Sequence, residues 1–307
     1  MSRERAGNVD LRPRVGLGTV QFGLEYGIAN EAARPTFEEV QRILDCAEEH
    51  GVSLLDTAAL YGDAEAVLGR ALPAGHRFDV VTKTPVFGGA LIEARHADML
   101  ERAVHTSLEK LRLDVLYGLL IHSADDLLVE GGEWLMERAQ TLRERGAVRK
   151  VGVSVYEPAQ AERILEHHTI DLIQIPLNVL DQRFSSSGIL DKLRKAGVEI
   201  HSRSVFLQGA LLMSPDKLPP HFEGARDKLR RYREVLTGLD ITPAEAAVDF
   251  VKRQPQVDGL VVGVCSAQQL GEVMAAYHAQ CPPCVHFADF AEREGRVIDP
   301  RLWPPRQ

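Results

Sequence analysis

Eight times along this chain a short apolar run of the kind a buried strand shows is followed by a segment of helical periodicity. The apolar runs are Arg14–Thr19, Val52–Asp56, Phe78–Lys83, Val115–His122, Lys150–Ser154, Leu172–Pro176, Val198–Ser204 and Gly259–Val264. Strands joined by helical crossovers pair in parallel, so the chain is expected to be an α/β protein built on a parallel sheet. Eight such units suit a single closed (β/α)8 TIM barrel, with the active site at the C-terminal face of the strands. An open doubly wound sheet is the competitor, and it wants a glycine-rich phosphate turn. Gly16 and Gly18 begin such a pattern, but residue 21 is glutamine and residues 23–35 read as loop.

Local chemistry supports the helix boundaries. Thr36 with Glu39, and Thr242 with Glu245 behind Pro243, are capping boxes, while Asp63 and Ser266 are expected N-caps. One domain is expected over residues 1–307, with a flexible N-terminus at 1–13 and a C-terminal tail at 280–307. The rhythm breaks only at residues 206–238, a long connection after the seventh strand that holds a charged helical piece.

Composition removes several classes of function. The net charge of -8 has acids and bases interspersed, so no basic stripe invites nucleic acid. No apolar run reaches the roughly 18 residues a membrane span needs, and the polar N-terminus is no secretory signal. Four scattered cysteines fit a reduced, cytoplasmic chain. Cys281 and Cys284 have no second pair at zinc spacing and read as a loop; His167-His168 reads as a helix end, so no metal site is expected.

What remains is a small-molecule enzyme. In a barrel all strands end at one face, which brings together Asp56, Lys83 and His122 from neighbouring strands, with Tyr61 in the turn after the second. A tyrosine has a reference pKa near ~10, and an adjacent ammonium is expected to lower it. A carboxylate beside the lysine holds that charge in place, and a neutral histidine can donate to a carbonyl oxygen. The set suits proton delivery to a carbonyl.

With these residues in view, the chain resembles the aldo-keto reductase superfamily over nearly its whole length. The resemblance is carried by Gly16-Leu17-Gly18-Thr19, Asp56-Thr57-Ala58 with Tyr61-Gly62, Lys83, His122, Gly152-Val153-Ser154, Gln174, Ser204 and Gly263. It implies an NAD(P)H-dependent oxidoreductase that reduces an aldehyde, ketone or sugar-like carbonyl, with Tyr61 as acid, Asp56 and Lys83 as its tuning pair, and His122 orienting the substrate. It further implies cofactor contacts from Gly18, Thr19, Asp56, Ser154, Gln174, Arg203, Ser204, Phe206, Gly209, Gly263, Ser266 and Gln269, and pocket walls from Phe22, Tyr26 and Phe87.

Three departures from the family pattern stand out. Val155 replaces a frequent asparagine, and Arg203 stands where a ring-stacking tyrosine is usual. The segment Val264-Cys265-Ser266-Ala267-Gln268-Gln269 lacks the cation that often receives the 2′-phosphate of NADPH. NADP(H) is expected on family habit, through Ser266 and the helix amides, with NAD(H) as competitor and discrimination weak. Two other functions stay open at this stage: a cofactor-binding regulatory subunit, and a barrel lyase or isomerase using Lys83 as a Schiff base.

Overall fold

The computed structural model describes residues 13–30, 34–73, 75–282 and 284–304. The stretch expected to be flexible therefore lies, up to residue 12, outside the described residues. Eight parallel strands close into a barrel in sequence order: β1 (Arg14–Gly18), β2 (Leu54–Asp56), β3 (Asp79–Lys83), β4 (Leu116–Ile121), β5 (Val148–Ser154), β6 (Leu172–Pro176), β7 (Glu199–Arg203) and β8 (Gly259–Gly263). Closure is made by β1 pairing with both β2 and β8.

Strand side chains alternate between faces, and here one face meets the barrel axis and the other the helices. Leu55, Val80, Leu119, Val151, Ile173, Ile200 and Leu260 belong to the outer core shared with the helices. Leu54, Val81, Leu120, Leu172 and Val261 form a separate cluster inside the barrel. Two residues further along those strands, on the same inward face, come Asp56, Lys83, His122 and Gln174. Period two alone thus lifts the polar set onto one face above an apolar plug.

Glycine makes room for that plug. A Cβ on Gly152 would stand 1.7 Å from the Leu172 carbonyl oxygen, so β5 and β6 approach as they do only without a side chain there.

Below the plug lies a polar floor that sequence reading did not anticipate. Glu199 accepts from Tyr117 Oη at 2.7 Å, Arg14 Nη2 at 3.0 Å, His201 Nε2 at 2.6 Å and Lys150 Nζ. Arg14 also bonds Asp79 at 2.8 Å. Although burial opposes ionisation of Glu199, these donors hold its carboxyl well below the usual range.

The helix caps follow the sequence with one exception. Thr36 and Thr242 accept from the amides of Glu39 and Glu245, and Ser266 from Gln269. Asp63 does not cap the helix Ala64–Ala71; its carboxylate is drawn to Arg34 at 2.6 Å instead. The long connection is a succession of short 3-10 turns followed by the helix Arg226–Gly238. The described part of the C-terminal segment buries Phe287, Phe290, Val297 and Ile298. No helix among the described residues is long and apolar enough to cross a membrane.

Glu199→Gln is expected to destabilise the barrel by about 2–4 kcal/mol, because two cations lose their shared carboxylate in a half-buried place. Urea unfolding at neutral pH measures this, and turnover per folded molecule should be unchanged.

Candidate active site

The C-terminal ends of the strands enclose a cavity of about 460 Å³. Its wall contains Asp56, Tyr61, Lys83 and His122 together with Gly18, Thr19, Ser154, Gln174, Arg203, Ser204, Phe206, Gly209, Gly263 and Gln269. Of the residues expected to hold cofactor, Ser266 alone is outside the wall, its hydroxyl being taken up as the helix cap. Of the expected pocket walls only Tyr26 is present. Phe22 is buried in the core, and Phe87 packs beside His96.

Lys83 and Asp56 form the centre. Lys83 is 1% exposed, and its ammonium donates to both Asp56 oxygens, at 2.8 and 2.7 Å, and to the Thr57 carbonyl at 2.9 Å. All three protons are therefore used. Burial lowers the Lys83 pKa while Asp56 pulls it back up. A Schiff-base lysine needs a free amine facing substrate, and this one is engaged on every side.

Tyr61 is where the expected electrostatics fail. Lys83 Nζ lies 5.0 Å from the Tyr61 ring centroid, but its charge is already answered by Asp56. Burial, helped by Asp56, pushes the phenol well above its ordinary pKa, against an opposing pull from Arg203. The phenol is thus held protonated rather than poised toward phenolate. His122 meets it edge-on, with centroids 6.0 Å apart. Burial, then the charges of Lys83 and Arg203, push His122 down to about 4, so its imidazole is neutral at neutral pH. A protonated phenol beside a neutral imidazole can hydrogen-bond a carbonyl oxygen and give it a proton.

The rest of the wall suits a nicotinamide dinucleotide. Gln174 donates from Nε2 to Asp56 at 2.7 Å, which leaves its Oε1 buried without a partner and able to accept from a carboxamide. Ser154 stands beside it in the β5–β6 register. The Val155 side chain faces the outer core. The loop after β1 and the turn after β7 meet: the Gln208 carbonyl accepts from the amides of Ile28 at 2.9 Å and Ala29 at 3.4 Å. That turn is possible because Gly209 takes a φ of +92°, against Ala29, where a Cβ would come within 2.4 Å. The cavity wall runs from these two segments to Val261, Val262, Gly263 and Val264 at the β8 end.

At the β8 end three of the backbone amides are already engaged. The Ala267 amide donates to the Glu39 carboxylate at 2.8 Å, the Gln269 amide to Ser266 at 3.2 Å, and the Cys265 amide to Gln269 Oε1 at 2.7 Å. Arg226 is tied to carbonyls of its own connection and to Glu223, and Arg230 to Asp216 and Asp227. Among the described residues no cluster of three His, Cys, Asp or Glu is placed to hold a metal.

Barrel and site together define an NAD(P)-dependent oxidoreductase. A family model described as the Aldo/keto reductase family matches residues 14–285, and the chain belongs to that family. It is similar to the uncharacterized oxidoreductase YqkF of Bacillus subtilis, at 26% identity over 91% of this chain and 92% of the relative. It is also similar to the chloroplastic pyridoxal reductase of Arabidopsis thaliana, at 29% identity over 72% and 64%. In fold it matches the aldo-keto reductase AKR11C1 from Bacillus halodurans, holo form, with a TM-score of 0.71 at 23% identity, covering 90% of each chain.

The lowered His122 pKa has a stability consequence. Below about pH 6.5 the unfolded chain takes up a proton at this residue that the folded chain refuses until about pH 4. Stability from this residue is therefore present at neutral pH and lost as the pH falls through that window. Denaturant unfolding at pH 7 and pH 4.5 should show the wild type losing about 1–2 kcal/mol more than His122→Asn over that interval.

Proposed function

We propose that this chain reduces the carbonyl of an aldehyde, a ketone or a sugar-like compound to an alcohol, with Tyr61 as the proton donor. The observation that carries the reading is the Tyr61 ring set edge-on to His122, 6.0 Å between centroids, in a cavity that also holds the unpartnered Gln174 Oε1. The bound nicotinamide supplies the hydride. Gln174 and Ser154 receive its carboxamide; His122 and Tyr61 hold the carbonyl oxygen; Tyr61 releases its proton to that oxygen as negative charge builds there. Asp56 keeps the Lys83 ammonium charged and in place, 5.0 Å from the centre of the Tyr61 ring. The similarity to a relative named pyridoxal reductase supports an aldehyde or ketone as substrate.

For the cofactor, the filled amides at the β8 end and the Glu39 carboxylate beside them favour a site that gains little from a 2′-phosphate. The reading is weak discrimination between NADPH and NADH, with a ratio within about 100-fold, or ~2.7 kcal/mol.

Two measurements test this. Fluorescence titration with NADPH and NADH should give dissociation constants within that range; an NADPH preference of several thousand-fold refutes the cofactor reading. Tyr61→Phe, assayed with a panel of aldehydes and ketones, should lose about 10²–10⁴ in turnover while binding cofactor normally. Near-normal turnover in that variant would remove Tyr61 from its role.

A further inference from the structure

Arg203 ends β7 with its side chain in the cavity wall, and among the described residues no carboxylate pairs with it. Its two hydrogen bonds go to neutral acceptors, the Val155 carbonyl at 3.0 Å and the Ser204 hydroxyl at 3.3 Å. The guanidinium is laid on the Tyr156 ring, 4.2 Å from the centroid. Arg301, from the C-terminal segment, sits 3.7 Å from the same centroid. Two guanidinium planes that close to one ring occupy opposite faces. Arg301 is neutralised by the buried Asp299, whereas Arg203 is not neutralised by anything described.

The tyrosine thus acts as a backing plate that sets the Arg203 plane. Lys83 and Asp56 cancel each other, which leaves Arg203 as the uncompensated charge at this end of the cavity. Its field reaches the whole site, for it is among the influences that draw Tyr26, Tyr61, Lys83 and His122 downward. Gln174 and Ser154, the proposed carboxamide holders, sit on β6 and β5, and Arg203 is on the strand that follows. A ring anchored by its carboxamide there lies within reach of the guanidinium.

We propose that Arg203 senses the charge of the nicotinamide: it stacks on the neutral reduced ring and repels the cationic oxidised ring, so that NAD(P)H binds more tightly than NAD(P)+. The inference rests on the cofactor reading above and goes beyond it by giving one residue control over which redox form stays bound. Guanidinium planes stack well on aromatic rings, and the cost appears only when the ring becomes a cation. A unit charge about 4 Å away, in a medium between water and protein interior, corresponds to roughly 10- to 100-fold in affinity. The oxidised cofactor, once formed, is then the form released more readily.

The test is equilibrium binding without substrate. NADH, NAD+ and ADP-ribose are titrated into the wild type, Arg203→Gln, Arg203→Met and Arg203→Lys, and the phosphorylated pair replaces the first two if it binds better. The wild type should favour the reduced form by at least about tenfold. The two neutral variants should lose most of that ratio, chiefly through tighter NAD+ binding, and Arg203→Lys should keep most of it. ADP-ribose carries no nicotinamide and should bind all four proteins alike. A wild-type ratio near one overturns the inference whatever the variants do. So does a ratio unchanged in a neutral variant that still binds ADP-ribose. If the wild type binds neither dinucleotide nor ADP-ribose, the cofactor reading itself fails and takes the inference with it.

Discussion

The ion pair between Lys83 and Asp56 is the interaction on which the site depends. Two charges almost out of reach of water are costly unless every donor and acceptor is met. Here the ammonium has three acceptors, and Asp56 also takes a hydrogen bond from Gln174. The pair therefore locks three strand ends, β2, β3 and β6, in one arrangement. It also removes a net charge from beneath Tyr61, so burial rather than the lysine dominates the phenol. A phenol that keeps its proton at neutral pH is the result.

Reading inward positions from bottom to top gives three layers along the barrel axis. The floor is ionic, around Glu199; the middle is the apolar cluster of Leu54, Val81, Leu120, Leu172 and Val261; the top is the site. The apolar layer separates two polar networks that would otherwise exchange partners. Each network is then free to be satisfied by its own geometry, which matters because a half-satisfied buried network costs more than none. The proposed function places the chemistry in the top layer, the usual position in a barrel.

Segments outside the eight units complete the site. The hydrogen bonds from Ile28 and Ala29 to Gln208 tie the loop after β1 to the turn after β7, and the C-terminal segment places Arg301 on Tyr156, which also carries Arg203. Glu39, from the helix after β1, takes an amide at the β8 end. Three of these contacts, Ile28 with Gln208, Arg301 with Tyr156 and Glu39 with Ala267, join residues more than a hundred positions apart.

Their places at strand ends were enough, in the sequence, to bring Asp56, Lys83 and His122 to one face, because strand ends in a closed parallel barrel have nowhere else to go; Gln174 came only from the family resemblance. The eight units, the caps at Thr36, Thr242 and Ser266, and the family were legible for the same reason: each is a local pattern. What the tertiary structure decided was charge and partnership. Asp63 chose Arg34 over its helix, Ser266 closed a cap instead of facing a phosphate, Phe22 went to the core, and Tyr61 was pushed up rather than down. Desolvation and ion pairing depend on what surrounds a group in three dimensions, and no spacing along the chain encodes which carboxylate reaches a given cation first.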